Sequence, residues 1–300
     1  MKLIRQGKVK DVYEAGNHTL EFVFSDKISV FDKIIPSLIP HKGETLCRTS
    51  AFWFQVARGC GIRTHFKEFI PPNRMRVQKV DVLPYSKINK KTTNYLIPLE
   101  VISRHYVAGS LWDRLREGKI KPTKLGLKGS KEVKYGDKLP EPYIEFTTKL
   151  EKVDRLLTKK DAVKIAGLTD KEYKEIIKVA LAIDVNIAEE VENRDLIHVD
   201  GKKEFGFDED RELMVVDTYG TADEDRWWDW EHYSKGQFVE LSKENVRQHY
   251  RQLGYYDKLA EARRMGRSEP KIPALPESKI KEISELYIDM FETITGESYN

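Results

Sequence analysis

Cysteine is nearly absent: Cys47 and Cys60 are the only two in 300 residues. Two thiols in one helix-forming segment exclude a disulfide framework and a cysteine zinc site, and read as ordinary core residues of a reducing compartment. No apolar run approaches the roughly 20 residues that span a bilayer. Met1–Lys10 carries four basic residues with no apolar stretch behind them, so no secretory leader is read there and the cytoplasm is expected. An excess of one charge is missing as well. Lys and Arg number 52 against 49 Asp and Glu, a balance of +3 that gives no general case for binding nucleic acid. Two phosphate-binding signatures are also lacking. No G-x-x-x-x-G-K-[ST] follows a strand and no G-x-G-x-x-G occurs, which disfavours P-loop NTPases and dinucleotide enzymes.

What is present is a globular composition, 40% apolar and 34% charged, with hydrophobic segments along the whole length. One large domain or two modest ones fit this length. The first quarter reads as strands: a strand–turn–strand lip over Gly7–Tyr13, then Leu20–Phe24 after the Gly16-Asn17 turn signal. Gly43–Arg58 reads as a helix stopped by Gly59 and Gly61. Strands are expected over Met75–Val82 and Tyr95–Tyr106, and Lys119–Glu141, rich in Lys, Gly and Pro, reads as a long surface excursion. Thr169-Asp-Lys-Glu172 is a capping box opening a helix through Val191, whose apolar face Asp184 interrupts. Strands near Leu196–Val199 and Leu213–Val216, a helix capped by Ser242 and ending near Gly254, and a final helix over Pro276–Thr295 follow. Strands first and mixed elements later argue for an α+β chain of two lobes rather than a βαβ repeat.

Five clusters can carry chemistry. Lys8 and Lys10 behind Gly7 suit a lip over phosphate, although edge lysines more often guard a strand against pairing. Asp200, Lys202 and Glu204 share one face if they lie on a strand, and a neighbouring strand Met214–Val216 would set Asp217 beside Glu204. Two carboxylates on adjacent strands are what Mg²⁺ in a nucleotide site uses; a solvated face is the alternative. Arg104 at a strand end, with Gly109-Ser110 opening a helix, makes an anion pocket or a helix cap. Asp32, after Asp26-Lys27, belongs to a cleft or an Asx turn. Trp227, Trp228 and Trp230 beside Arg226 form a stacking platform or, more commonly, core.

In this order the clusters resemble the SAICAR synthetase family. The likeness begins with Gly7-Lys8-x-Lys10-Asp11-x-Tyr13 and Ser25-Asp26-Lys27-Ile28-Ser29-x-Phe31-Asp32. It continues through Lys42-Gly43, Pro98-Leu99-Glu100-Val101, Arg104-x-Tyr106-x-x-Gly109-Ser110-x-Trp112, Gly136–Pro142 and Thr147-Thr148-Lys149. It closes with Asp200-x-Lys202-x-Glu204-Phe205-Gly206, Asp217 and Arg226, covering about residues 5 to 230. Each motif is weak alone, and their ordered sum is specific. The resemblance implies an α+β fold of two lobes, an antiparallel-sheet lobe over 1–95 and a mixed α/β lobe over 96–300, with ATP in the cleft. It implies a ligase that joins L-aspartate to carboxyaminoimidazole ribonucleotide with ATP and Mg²⁺, through an acyl phosphate. Carried over by residue, Lys8 and Lys10 contact ATP phosphates, Glu100 and the strand near Met75–Lys79 flank adenine, and Glu204 and Asp217 hold Mg²⁺. Arg104, Ser110 and Arg226 hold the ribonucleotide phosphate, and Lys202 and Asp32 stand near the reacting carboxylate. No nucleic acid or membrane partner is implied, and a homo-oligomer is left open.

The chain departs from the family at two places. The usual Asp-Glu-x-x-Thr-Pro-Asp-Ser-Ser-Arg reads Asp217-Thr-Tyr-Gly-Thr-Ala-Asp-Glu-Asp-Arg226, so Glu224 and Asp225 must turn outward unless they are to repel a phosphate. Of the His-Asp-x-Asn pattern after Lys149 only Asp154 remains. These departures leave room for an ATP-binding regulator with altered catalysis, or for a kinase acting on another carboxylate. A nucleic-acid protein using the lysines of 119–138 is the more distant rival.

Overall fold

A computed structural model describes residues 1–127, 132–151 and 153–299. The period-2 patterns at the start become β1 (Lys2–Gln6), β2 (Lys10–Gly16) and β3 (Thr19–Phe24), joined by tight turns. The hairpin of β4 (Lys27–Val30) and β5 (Lys33–Leu38) turns through Phe31 and Asp32, both left-handed at φ 51° and 65°. Helix α1 (Lys42–Gly59) buries Leu46, Trp53 and Phe54 behind the sheet, and its chain returns as β6 (Phe66–Ile70) and β7 (Arg74–Gln78). The first sheet has five antiparallel strands in the order β1-β2-β3-β7-β6.

The second sheet is built on two long strands, β8 (Tyr95–Tyr106) and β10 (Leu196–Phe207), which pair antiparallel at its centre. Between them in sequence come α2 (Gly109–Arg116), β9 (Lys138–Thr148), α3 (Lys159–Ile165) and α4 (Asp170–Val191). Strands β11 (Leu213–Val216) and β12 (Asp225–Asp229) both pair with β10, along its second and first halves respectively. The order is β11-β10-β8-β9, all antiparallel. Short helix α5 (Trp230–Ser234), α6 (Glu244–Gln252), α7 (Tyr255–Arg264) and α8 (Glu277–Thr295) complete the chain. The architecture is the expected α+β one. One continuous apolar core joins residues of both sheets with α1, α4 and α8, and α8 packs against α1.

Helix α4 follows from its sequence: the Thr169–Glu172 capping box closes in both directions, and Ile176, Ala180, Ile183 and Ile187 give one apolar stripe against β8 and β10. Asp184 lies in that stripe because fully buried Lys203, on the facing strand, ion-pairs with it. Several expected boundaries move. The strand from Met75 stops at Gln78, because Asp81 leaves the first sheet to bridge to Tyr95 and Pro84 follows. The strand from Leu196 runs on to Phe207. The end of the expected excursion, Lys138–Glu141, is already strand β9, Pro122–Leu125 is a 3₁₀ turn, and its residues 128–131 lie outside the described ones. Cys47 is buried, but Cys60 is exposed just past the end of α1, so the core reading fails for it. Trp227 and Trp228 are fully buried core, while Trp230 is exposed.

Candidate active site

The register of β8 and β10 sets the floor of the site. Glu204 lies opposite Glu100, Lys202 opposite Ile102 and Asp200 opposite Arg104, so alternation sends Asp200, Lys202 and Glu204 to one face. On the other side of β10, Glu204 is opposite Val216, and Asp217 follows at the strand end in a left-handed conformation, φ 64°. Together with residues from the β1–β2 turn, the β4–β5 turn, α2, α6 and α7, this face walls a cavity of about 690 Å³.

Behind Lys202, which lines this cavity, lies Glu204, with no exposed surface. Lys202 Nζ is 2.5 Å from Glu204 Oε1, and Lys149 ion-pairs with Oε2. Lys149 Nζ is also 3.5 Å from Asp217 Oδ2, and Lys10 ion-pairs with Asp217 Oδ1. Burial alone would raise the Glu204 carboxyl, but the Lys149 and Lys202 charges hold it well below the usual range. Burial drives the Lys10 ammonium down to about 8, against the pull of Glu224 and Glu204. Lys202 is held well above its ordinary value: burial opposes the charge, and Glu204, Glu224 and Glu100 outweigh it. Glu100 also accepts from Lys202 at 3.1 Å and from Thr147 at 3.1 Å.

Glu204 Oε2 and Asp217 Oδ1 are buried oxygens that accept no well-directed hydrogen bond, and the Lys149 ammonium stands between the two carboxylates. A divalent cation that keeps phosphate oxygens and waters as its remaining ligands suits such a pair. The residues present fit Mg²⁺.

A second group of charges lies one step along the strands. Arg104 is buried, with Nε donating to Glu145 at 2.7 Å, Nη1 to Asp200 at 3.3 Å and Nη2 to Ser110 Oγ at 2.9 Å. Arg226 Nη1 donates to the same Asp200 oxygen at 2.5 Å, and Nη2 to Glu244 at 3.2 Å. Gly109, at φ 50°, opens α2 here; a Cβ on it would stand 2.7 Å from Arg226 Nη1, so only glycine lets that guanidinium in. Asp200, grouped in sequence with Lys202 and Glu204, thus serves the arginines and sets them side by side. At the mouth, Lys8 Nζ is 2.8 Å from Asp32 Oδ1. Lys243, Arg247 and Arg251 add positive charge along the rim.

The sequence model of the family described as SAICAR synthetase matches residues 3–262. The phosphoribosylaminoimidazole-succinocarboxamide synthases of Thermoplasma volcanium and Thermoplasma acidophilum are 55% and 54% identical over 299 residues, the whole of each chain. The chain belongs to the SAICAR synthetase family. Among solved structures, the SAICAR synthase of Saccharomyces cerevisiae complexed with SAICAR aligns at a TM-score of 0.76 and 25% identity, covering 99% of this chain and 96% of that one. A SAICAR synthetase in complex with ADP aligns at 0.71 and 25%, covering 99% of both.

The segment where this chain departs from the SAICAR synthetase pattern is a loop between β11 and β12, and its anchors explain the substitutions. Tyr219 donates to the Trp53 carbonyl at 2.8 Å, and Trp53 Nε1 donates to the Gly220 carbonyl at 2.8 Å. Asp223 is buried between Lys42 at 3.0 Å and Lys243 at 3.1 Å, and accepts from Tyr287 of α8. Asp225 turns away from the cavity into the core, 2.7 Å from His198 Nε2. Glu224 does not turn outward as expected. It lines the cavity, 3.2 Å from Lys202, because that ammonium has room for a third carboxylate. Asp154 lies on the same side as Glu100: burial, then the Glu100 charge, pushes its carboxyl up to about 6. Sequence reasoning missed Lys149, Asp223 and the rim of α6 and α7. Lys149 belongs to the Thr147-Thr148-Lys149 motif, but only the bend after β9 brings it to Glu204.

Proposed function

We propose that this chain joins L-aspartate to carboxyaminoimidazole ribonucleotide at the expense of ATP, as a cytoplasmic ligase of purine biosynthesis. The observation that carries the reading is that Lys10, Lys149, Lys202, Glu204 and Asp217 form one charged cluster, joined through Lys202 to a cavity that an arginine pair also lines. Family membership and the SAICAR-bound and ADP-bound relatives support it. ATP lies between a lobe of residues 1–95 and the remainder, adenine near Met75–Lys79 and Glu100, with Lys8 and Lys10 on its phosphates. Glu204 and Asp217 hold Mg²⁺, which when bound draws negative charge from the phosphate oxygens. Arg104, Ser110 and Arg226 grip the ribonucleotide phosphate.

A carboxylate is a poor electrophile because oxide is not a leaving group. Phosphoryl transfer from ATP to the imidazole carboxylate gives an acyl phosphate, and attack by the aspartate amine expels phosphate. Lys202 orients and neutralises the carboxylate before transfer, and Asp32 takes the proton the amine loses on attack. The bound substrates must displace water from the cavity, because water would hydrolyse the acyl phosphate.

Purified protein with Mg-ATP, the ribonucleotide and L-aspartate should form succinocarboxamide and ADP in equal amounts, with nothing formed when any one is omitted. ¹⁸O in the substrate carboxylate should appear in phosphate; its absence there would defeat the acyl-phosphate step. The Glu224–Lys202 pair favours one second reading, an ATP-binding regulator, which predicts nucleotide binding without turnover.

A further inference from the structure

A second polar cluster lies on the opposite face of β8 and β10, under α4. Neighbouring residues of a strand point to opposite faces, so Lys202 looks into the cavity and Lys203 looks toward α4. On Lys203's side, His105 of β8 and His198 of β10, which a register irregularity between His198 and Asp200 takes out of the alternation, flank Asp184 of α4. One ligand atom from each lies within 4.8 Å of the other two, and among the described residues no other trio of His, Cys, Asp and Glu comes so close.

The three are poised as ligands rather than as hydrogen-bond partners. His105 Nε2 is 3.4 Å from Asp184 Oδ2, yet the pair is too poorly directed to bond, and both atoms are buried without a partner. Two ligands each about 2.1 Å from a tetrahedral ion stand at about that separation. His198 offers Nδ1, 3.8 Å from Asp184 Oδ1, while its Nε2 is fixed by Asp225 at 2.7 Å. A carboxylate on one imidazole nitrogen sets the tautomer and aims the other nitrogen's lone pair, as in metal sites with carboxylate–histidine support. Lys203 ion-pairs with Asp184 Oδ1 only, which keeps the aspartate charged and leaves Oδ2 to His105's side. The cluster opens on a separate cavity of about 560 Å³, also lined by Glu192 and Trp230, where water can complete the coordination.

We propose that His105, His198 and Asp184 bind one divalent transition-metal ion of the Zn²⁺ class, distinct from the Mg²⁺ of the nucleotide site. Imidazole nitrogens select such ions, whereas Mg²⁺ takes oxygen ligands and does not compete. The site stands independently of the ligase reading, since none of its residues faces that cavity.

The test is Zn²⁺ titration of tag-free, chelator-stripped full-length protein by calorimetry in saturating Mg²⁺, with Co²⁺ absorption as the coordination signature. One ion per chain is expected, with visible Co²⁺ bands. His105→Gln and His198→Gln should each weaken binding by about tenfold or more, the scale on which even supporting residues act. Asp184→Asn is avoided because it would strand Lys203. His105→Gln should leave turnover in chelated, Mg²⁺-only buffer unchanged. Absence of stoichiometric binding, binding that both histidine variants retain, or binding that Mg²⁺ displaces would each overturn the proposal.

Discussion

Lys8 Nζ lies 2.8 Å from Asp32 Oδ1, a contact that ties the turn between β1 and β2 to the left-handed turn between β4 and β5 across the mouth of the site. Both side chains are at least half exposed, so the pair contributes under about 1 kcal/mol to stability. Its consequence is positional: the proposed phosphate-binding lysine and the proposed base come into place together. Asp32→Asn should therefore leave the urea midpoint almost unmoved and lower kcat by about a hundredfold or more. Unfolding curves beside steady-state rates decide this. A large loss of stability, or a kcat that barely moves, would remove Asp32 from the chemistry.

Glu204 and Asp217 differ in burial, and their variants should differ accordingly. Glu204 is fully buried between two lysines, so Glu204→Gln leaves buried ammonium charge uncompensated and should cost about 3 kcal/mol of stability. Asp217 is partly exposed, and Asp217→Asn should fold almost normally. The expected defect of Asp217→Asn is in Mg²⁺ use, about a tenfold rise in the concentration for half-maximal rate. Rates measured against Mg²⁺ at fixed ATP supply the check, and an unchanged curve would displace the metal assignment.

Glu224 competes for Lys202 with the carboxylate that the proposed reaction brings in. Its 3.2 Å contact sits in a half-buried pocket, and its charge repels an anionic substrate. Glu224→Ser should lower KM for the ribonucleotide about fivefold, which corresponds to about 1 kcal/mol. An increase in KM would mean that Glu224 instead orients Lys202 productively.

How much of this was open to sequence reading depended on range. The capping box at Thr169–Glu172, the glycine stops after Arg58 and the aromatic stretch of α1 are local signals, and each produced its element. The shared face of Lys202 and Glu204 followed from strand period, because β10 is regular there. The partners of Asp200 were not legible for a nonlocal reason: they are a pair of guanidiniums, from β8 and β12, that the sheet register brings to it. Asp184 had no account in sequence because its partner, Lys203, is on another element. Strand β12 and helix α7 escaped because their composition is polar and aromatic, and the burial of Trp227, Trp228 and Leu259 that stabilises them is tertiary.

His65 is a buried imidazole beneath the end of β11, 3.3 Å from the Asp217 carbonyl and edge-on to Phe22. Burial, and then the charge of Lys10, pushes its pKa down to about 3. The unfolded chain protonates it near 6.5, so between these values the unfolded state binds the extra proton. Stability is therefore complete above pH 6.5 and is lost as pH falls, by about 1.4 kcal/mol per unit down to about pH 3. His65→Gln removes that proton uptake while keeping a donor for the carbonyl. Urea unfolding at pH 7.5 and pH 5 should give wild type a loss of about 2 kcal/mol beyond whatever the variant loses from its other groups. Parallel losses in the two proteins would mean that His65 is protonated as readily in the fold as out of it, and that its pocket is open to water.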